Sequence, residues 1–460
     1  MSALKKQPGI LLVNPWIYDF SAYDFRQKPL GLLYIGAILN HLGYRTALLD
    51  CLDRYHPAWP EAAAAGKTDE RQEGAGKYWR EELPKPAALA EIPRRYCRYG
   101  APRAGVEAWL RDQPPPEVIL MTSFMTYWYP AVADMAALLR EIFPRAVLVL
   151  GGIYATLCPE HARRTVQPDY LLEGEGEMAA VRLVARLCDG PGADFSYRAL
   201  DELPFPWFAG YPRLASIALL TSRGCPCHCS YCASSVLTDH YRRRSPENVF
   251  AEVQHWQEGY GVRQFAFFDD ALLHHPARYA KPLFRLLARA GEKLALHTPN
   301  GVHLRCIDDE LADLLYTAGM KSLRLSYESS SPRRRQGKVT PRELESALAR
   351  LHRAGFGTAE LGVYLLAGVP GQPIREVRAS AQRVHDLGAR VYLASYSPIP
   401  GTVEYKTGVE CGEWDPGADL LLTNNSLFPL WRKRHTPEEL AELSLNIKQL
   451  NQSLLSSDEE

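Results

Sequence analysis

Excess charge of either sign is missing from this chain. Its 53 lysines and arginines are matched by 53 aspartates and glutamates, so no overall field draws nucleic acid or an anionic membrane surface. The basic runs at 242–244, 333–335 and 432–434 read as solvated faces. Long apolar runs are missing too. Even Leu30 to Leu42 is broken by Gly31, Gly36, Asn40 and His41, which excludes a membrane-spanning helix there. The opening residues, Met1 to Gln7, hold no apolar export core and run straight into a strand pattern. A cytoplasmic protein is the expectation. In such a setting ten cysteines point away from disulfides.

What is present is enough chain, 460 residues with 46% hydrophobic content, for two or three domains with substantial cores. Two alternating β/α halves can be read. In the first, apolar runs at Ile10–Val13, Thr46–Leu49, Val118–Thr122, Val147–Leu150 and Tyr170–Leu172 end in Gly, Pro or Asp. Unbroken Val, Ile and Leu suggest parallel strands buried on both faces. Five of them predict a flavodoxin-like doubly wound sheet whose ligand sits beyond the strands' carboxyl ends. The stretch from Arg54 to Pro116 is long for one crossover; it is expected to hold extra helices and a loop, mobile at Ala62–Gly76.

Leu203-Pro204-Phe205-Pro206-Trp207 marks a linker. Six further runs follow: Ile217–Thr221, Gln264–Phe268, Leu294–Thr298, Ser322–Ser326, Leu361–Leu366 and Val391–Ser395. Helix starts are expected at Ser245-Pro246, His275-Pro276, Asp308-Asp309 and Thr340-Pro341, with Gly259, Gly291, Gly319 and Gly355 at helix ends. The whole is an α/β chain with a partial (β/α)6 TIM barrel in its second half. The expected domains are 1–190, a linker over 191–215, a barrel over 216–410 and a helical extension over 411–460. Catalytic groups of such barrels lie where the strands end.

The first barrel strand runs into Gly224-Cys225-Pro226-Cys227-His228-Cys229-Ser230-Tyr231-Cys232. Cys225, Cys229 and Cys232 stand at CxxxCxxC spacing, and a 4Fe–4S cluster is held by thiolates, normally four. Three leave one iron open to bind something else. A structural zinc site is the alternative, but it wants paired ligands, and the distant His303 and Cys306 lack knuckle spacing. Cys227 is the spare thiol. Polar residues follow at later strand ends: Asp269 and Asp270, Asn300, and Glu328. Asp270 is equally suited to capping the next segment. Tyr231 is placed for a nucleobase or for the core, and Tyr364, Tyr392 and Tyr396 for a substrate pocket or for the core.

The cysteine loop resembles that of the radical S-adenosylmethionine (SAM) superfamily. Together with Tyr241-Arg242-Arg243-Arg244-Ser245-Pro246-Glu247, Phe268-Asp269-Asp270, Asn300-Gly301 and Glu328, the second half is similar to the core of methylthiotransferases and the elongator catalytic subunit. The first half resembles the cobalamin-binding domain that precedes this core in one large subfamily. Its markers are Asn14-Pro15, Lys28-Pro29-Leu30-Gly31-Leu32, Gly151-Gly152-Ile153-Tyr154-Ala155-Thr156 and Gly174-Glu175-Gly176-Glu177. No Asp-x-His-x-x-Gly motif supplies a histidine to cobalt, since Asp53-Arg54-Tyr55-His56 does not match it; a docking domain that binds nothing is the alternative.

The resemblance implies a 4Fe–4S cluster on Cys225, Cys229 and Cys232, and SAM beside Tyr231, Asp269, Asp270, Asn300 and Glu328. It implies cobalamin near Asn14, Thr122, Ser123, Gly151, Gly152 and Glu175. The implied activity is hydrogen abstraction from an unactivated carbon of a small molecule or natural product, with methyl transfer favoured. An electron donor such as flavodoxin or ferredoxin is implied, and no nucleic acid or membrane partner. The rivals are a cobalamin-independent radical oxidoreductase, rearrangement enzyme or methylthiotransferase, and a zinc module without turnover. The methylthiotransferase reading lacks a second cysteine triad: Cys51, Cys97, Cys158 and Cys188 are scattered, and no basic β-rich tail follows residue 430.

Overall fold

A computed structural model describes residues 9–60, 74–290, 294–330 and 339–457. Most of the loop expected to be mobile (62–73), Gly291 and the basic run 333–335 lie outside the described residues. The chain divides into two units, residues 1–215 with 419–422, and 216–418 with 423–460.

The first unit is built on five strands, β1 (Gly9–Asn14), β2 (Arg45–Asp50), β3 (Val118–Met121), β4 (Val147–Leu150) and β5 (Tyr170–Leu171). They pair in the order β5-β4-β3-β1-β2, all parallel. This is the flavodoxin-like order, with its switch point between β1 and β3. Parallel strands must be covered on both faces. Accordingly Ile10 to Val13 and Val118 to Met121 are buried throughout, each large side chain worth about 1.5–3 kcal/mol of burial. The Pro-rich passage belongs to this unit too: Trp207 N–H donates to the Leu33 carbonyl (3.0 Å), and Phe208 is fully buried.

The long crossover departs from expectation. It holds short antiparallel strands besides the helix Arg103–Asp112. Arg80–Glu82 and Ile17–Asp19 flank Cys97–Tyr99, and Tyr23–Asp24 pairs with Gly76–Lys77. Strands of two or three residues, some rich in Arg and Glu, offer no run long enough to show period-two alternation.

The second unit carries β6 (Ile217–Leu219), β7 (Gln264–Phe267), β8 (Ala295–His297), β9 (Met320–Glu328), β10 (Leu361–Ala367) and β11 (Arg390–Ser395). They pair in sequence order, all parallel, as an open barrel whose free edges are β6 and β11. Along β9 the burial alternates: Leu323, Leu325 and Tyr327 are buried and Arg324, Ser326 and Glu328 half-buried, so a polar row faces the barrel interior. Ser245, Asp308 and Thr340 cap their helices through backbone N–H bonds to their side chains. The other helix signals need correction. No helix starts at His275-Pro276; the chain makes turns until the helix Ala280–Ala288. Gly259 lies inside the helix Pro246–Tyr260, and Gly261 takes the left-handed cap at φ 69°.

On the open edge β11, Asn451 of the C-terminal helix Pro437–Ser457 stands in for a neighbouring strand. Its Oδ1 accepts from Val391 N–H (2.7 Å) and its Nδ2 donates to the Val391 carbonyl (2.8 Å), which blunts an edge otherwise ready to pair. Among the described residues no helix is long and apolar enough to cross a membrane.

Candidate functional site

The cysteine loop hangs from the end of β6 and is fixed at its root. The strand pair Ser222–Arg223 with Arg242–Arg243 folds the chain back, and Gly224 (φ +74°) makes the turn beside the His240 carbonyl, 2.8 Å from where a Cβ would stand. Asp269, at the end of β7, then clamps the root. Its carboxylate accepts from Thr221 N–H (3.0 Å), Thr221 Oγ1 (2.8 Å) and Ser222 Oγ (2.6 Å). Asp269 is buried, so of the two adjacent aspartates it supports the loop and Asp270 faces outward.

Asp270 binds the loop at two places. Its carbonyl accepts from Cys225 Sγ (3.9 Å), and its Oδ2 accepts from Ser234 Oγ (2.9 Å). Ser234 in turn meets Cys232, its N–H donating to Sγ at 3.5 Å. Cys227 N–H donates to Cys225 Sγ at 3.4 Å. All four loop cysteines are outside disulfides and partly buried. Burial pushes the Cys225 thiol up to about 12, and charge on Cys227, Asp270 and Cys229 adds to this. A thiolate there requires a cation to hold it. Two backbone N–H groups aimed at cysteine sulfurs, and three thiols on one loop, fit an iron–sulfur cluster. Among the described residues no three His, Cys, Asp or Glu side chains close round a point suited to a single ion.

The remaining strand ends converge on this loop. Tyr231 O–H donates to Glu328 Oε1. Glu328 closes β9 in the left-handed region (φ 71°), where the register with β10 slips by a residue after Ser326. A non-glycine residue held this way stores about 1–3 kcal/mol of strain, which persists where surrounding structure enforces it, often at ligand sites. Asn300 Nδ2 donates to the Phe268 carbonyl (2.9 Å), tying the β8 turn to the end of β7. Next to it Gly301 is closely packed: a Cβ would stand 2.2 Å from Ser326 Oγ and 3.1 Å from Tyr364 Cδ2. Asp270, Pro299, Asn300, Gly301, Tyr364 and Ala394 line one open cleft. Of the three tyrosines, Tyr364 reaches that cleft, its hydroxyl on the Pro299 carbonyl (2.7 Å). Tyr392 stacks under Arg324, 4.5 Å from ring centroid to guanidinium, and Tyr396 is buried.

Asp269 also gives the unit a pH signature. Burial raises it from 3.8 to about 6, against hydrogen bonds from Ser222 and Thr221 that favour its charge. The folded state therefore binds a proton more readily than the unfolded chain between those values. This group's contribution to stability is present at about pH 4 and is lost as the pH rises through 6. Asp269→Asn should remove that component: the difference in urea stability between wild type and variant is expected to change between about pH 4 and pH 7. A difference that stays constant across the range contradicts the assignment.

In the first unit the predicted residues fall into two groups. Thr122 and Ser123 (after β3) meet Gly151 and Gly152 (after β4), with Ser123 Oγ donating to the Gly151 carbonyl at 2.7 Å. Gly152 (φ +96°) leaves only 2.3 Å between a Cβ and the Ser123 carbonyl, so nothing larger than glycine brings these turns together. Asn14 is buried and turned toward β2, its Nδ2 on Asp50 Oδ1 (2.7 Å). Its Oδ1 has no hydrogen-bond partner among the described residues. Glu175 stands at the start of the helix Gly176–Leu187 without a side-chain bond to its first turn, and accepts from Tyr197 O–H (3.3 Å).

Several contributors lay beyond sequence reasoning. Tyr211 donates to Asp50 Oδ2 (2.6 Å) while its ring carries the Lys28 ammonium at 4.8 Å, and Ser230 bonds Glu404 (2.8 Å). Separations of 161 and 174 residues leave no local pattern to find.

Residues 219–384, which hold most of the open barrel and its cysteine triad, match the Radical SAM superfamily. The curated cytidylyl-2-hydroxyethylphosphonate methyltransferase of Streptomyces wedmorensis is 24% identical, over 90% of this chain and 84% of its own. An uncharacterized methyltransferase of Pyrococcus horikoshii is 26% identical, over 71% of this chain and 74% of its own. Among solved structures, the radical SAM methyltransferase TsrM of Kitasatospora setae, with cobalamin and a [4Fe-4S] cluster bound, superposes with a TM-score of 0.63. It covers 90% of this chain and 80% of its own at 17% identity. That likeness shows a shared fold across both units.

Proposed function

We propose that the protein is a cobalamin-dependent radical SAM methyltransferase acting on an unactivated carbon of a small molecule. The observation that carries the proposal is the junction of the cysteine loop with the strand ends: Cys225 and Cys232 reach Asp270, directly and through Ser234, and Tyr231 reaches Glu328. Relatives named as methyltransferases over most of their length support methyl transfer. The TsrM structure supports cobalamin in the first unit. There the Gly151-Gly152 edge and the orphan Oδ1 of buried Asn14 offer a close backbone surface and an unused acceptor.

In this reading Cys225, Cys229 and Cys232 would hold the cluster, and a donor of the flavodoxin or ferredoxin class would supply its electron. Bound there, cluster and SAM would supply the radical chemistry and cobalamin the methyl group. The chain's own residues bind and orient. Backbone N–H of Cys227 and Ser234 stabilises thiolate charge on Cys225 and Cys232. Asp270 and Glu328 present carboxylate oxygens to an ammonium or to ribose hydroxyls. Asn300 and Gly301 keep the β8 turn low, so a ligand in the cleft meets backbone.

The test is product analysis with reduced, cobalamin-supplied protein and SAM. Formation of both 5′-deoxyadenosine and S-adenosylhomocysteine is expected, the first recording reductive cleavage and the second methyl donation. 5′-Deoxyadenosine alone would transfer the proposal to radical oxidation or rearrangement.

A further inference from the structure

The barrel is open, because β6 and β11 end the sheet and share no ladder. The cysteine loop grows from one of these free edges, so an open barrel by itself leaves its position loosely set. At the carboxyl end the gap is bridged. Ser230, between Cys229 and Cys232, donates its Oγ to Glu404 Oε1 (2.8 Å), and Glu404 N–H donates back to the Ser230 carbonyl (3.0 Å).

Glu404 lies in the first turn of the helix Val403–Glu410, which follows β11 and is capped by Thr402. N–H groups in a first turn have no partner inside their helix, so the one on Glu404 is available to another segment. Thr402 is buried and holds the start of this helix, its Oγ1 accepting from Tyr405 N–H (3.3 Å). Gly401 (φ +89°) makes the turn just before this helix. The middle of the loop is therefore referenced to the last strand, as its root is referenced to β7 through Asp269.

We infer that the Ser230–Glu404 pair is a latch that joins the two free edges of the barrel and fixes the cysteine loop, with Glu404 as a positioning residue for the cluster. The cluster part rests on the reading that Cys225, Cys229 and Cys232 hold one. The loop part does not. The two are tested separately.

Hydrogen–deuterium exchange of the cluster-free full chain reads the latch directly. Losing one partly buried, charge-assisted hydrogen bond corresponds to about tenfold or more faster exchange of the opened segment. Ser230→Ala and Glu404→Ala should show that acceleration over residues 225–232, while Glu404→Gln, which keeps an acceptor oxygen, stays near wild type. In the reconstituted protein, iron loss to a chelator should accelerate in Glu404→Ala and recover in Glu404→Gln. Wild-type exchange in Glu404→Ala, or no recovery in Glu404→Gln, overturns the latch. A wild-type chain that takes up no iron and sulfide sinks the cluster reading instead and leaves the exchange result to decide the latch.

Discussion

Cys229→Ala is expected to take up no stable four-iron cluster and to cleave SAM only at background level. The loss should be total rather than graded. Three thiolates are the least that hold such a cluster while one iron stays open, and two cannot retain it against water and chelators. Cys229 is central to the loop: its carbonyl accepts from Cys232 N–H (3.1 Å), and Ser230 beside it is latched to Glu404. Cys227→Ala supplies the contrast. That thiol is the spare of the four, so the variant should keep its cluster and its cleavage activity. A Cys229→Ala protein with wild-type iron, sulfide and 5′-deoxyadenosine formation would mean that another residue completes the ligand set.

The second large effect concerns stability. Arg244, directly after the strand pair that carries the loop, is buried together with Glu252, and the two form an ion pair with side chains 4% and 1% exposed. Arg244 Nε also donates to Asn248 Oδ1 (2.6 Å), and Nη1 lies 3.4 Å from the Leu220 carbonyl at the end of β6. Burial raises Glu252 above its ordinary value, while Arg244 holds it down. Glu252→Leu strands a guanidinium in a dry site, and breaking a buried pair from one side costs about 3–5 kcal/mol. Replacing both partners by apolar residues costs much less, because no unpaired charge remains. The prediction is therefore an order: Arg244→Met/Glu252→Leu should unfold in denaturant nearer to wild type than Glu252→Leu does. A double variant as unstable as the single one would show that shape, not charge, sets the cost.

How far sequence carries the reading differs between the parts of the molecule. Strands such as those at Ile10–Val13 and Val118–Met121 were visible because parallel strands covered on both faces leave unbroken apolar runs, while the barrel strands showed as shorter apolar runs with polar breaks, as in β9. The cysteine loop was visible because its chemistry demands residues close in sequence. What stayed hidden is long-range or short-lived in pattern. Arg80–Glu82 is a strand only because Cys97–Tyr99 pairs with it. Gly259 and Gly261 offer equal cap chemistry, and only the folded backbone, with Gly261 at φ 69°, tells them apart.

Site chemistry divides in the same way. Asp269 and Asp270 are equivalent as letters, yet one is spent on Thr221 and Ser222 and the other faces the cleft. Both lie just past the end of β7, and only the folded turn shows which of them is turned inward. Ser230 and Glu404 had no signal, because a hydrogen bond between two barrel edges needs the barrel first.

The central claim is that one chain carries both a four-iron cluster and cobalamin. Its most direct test is the iron, inorganic sulfide and cobalt content, with the absorption spectrum, of protein purified without oxygen from cobalamin-supplied cells. About four iron and four sulfide with about one cobalt per chain is the predicted result. Zinc in place of iron and sulfide, or a cluster with no cobalt even after reconstitution, would contradict it.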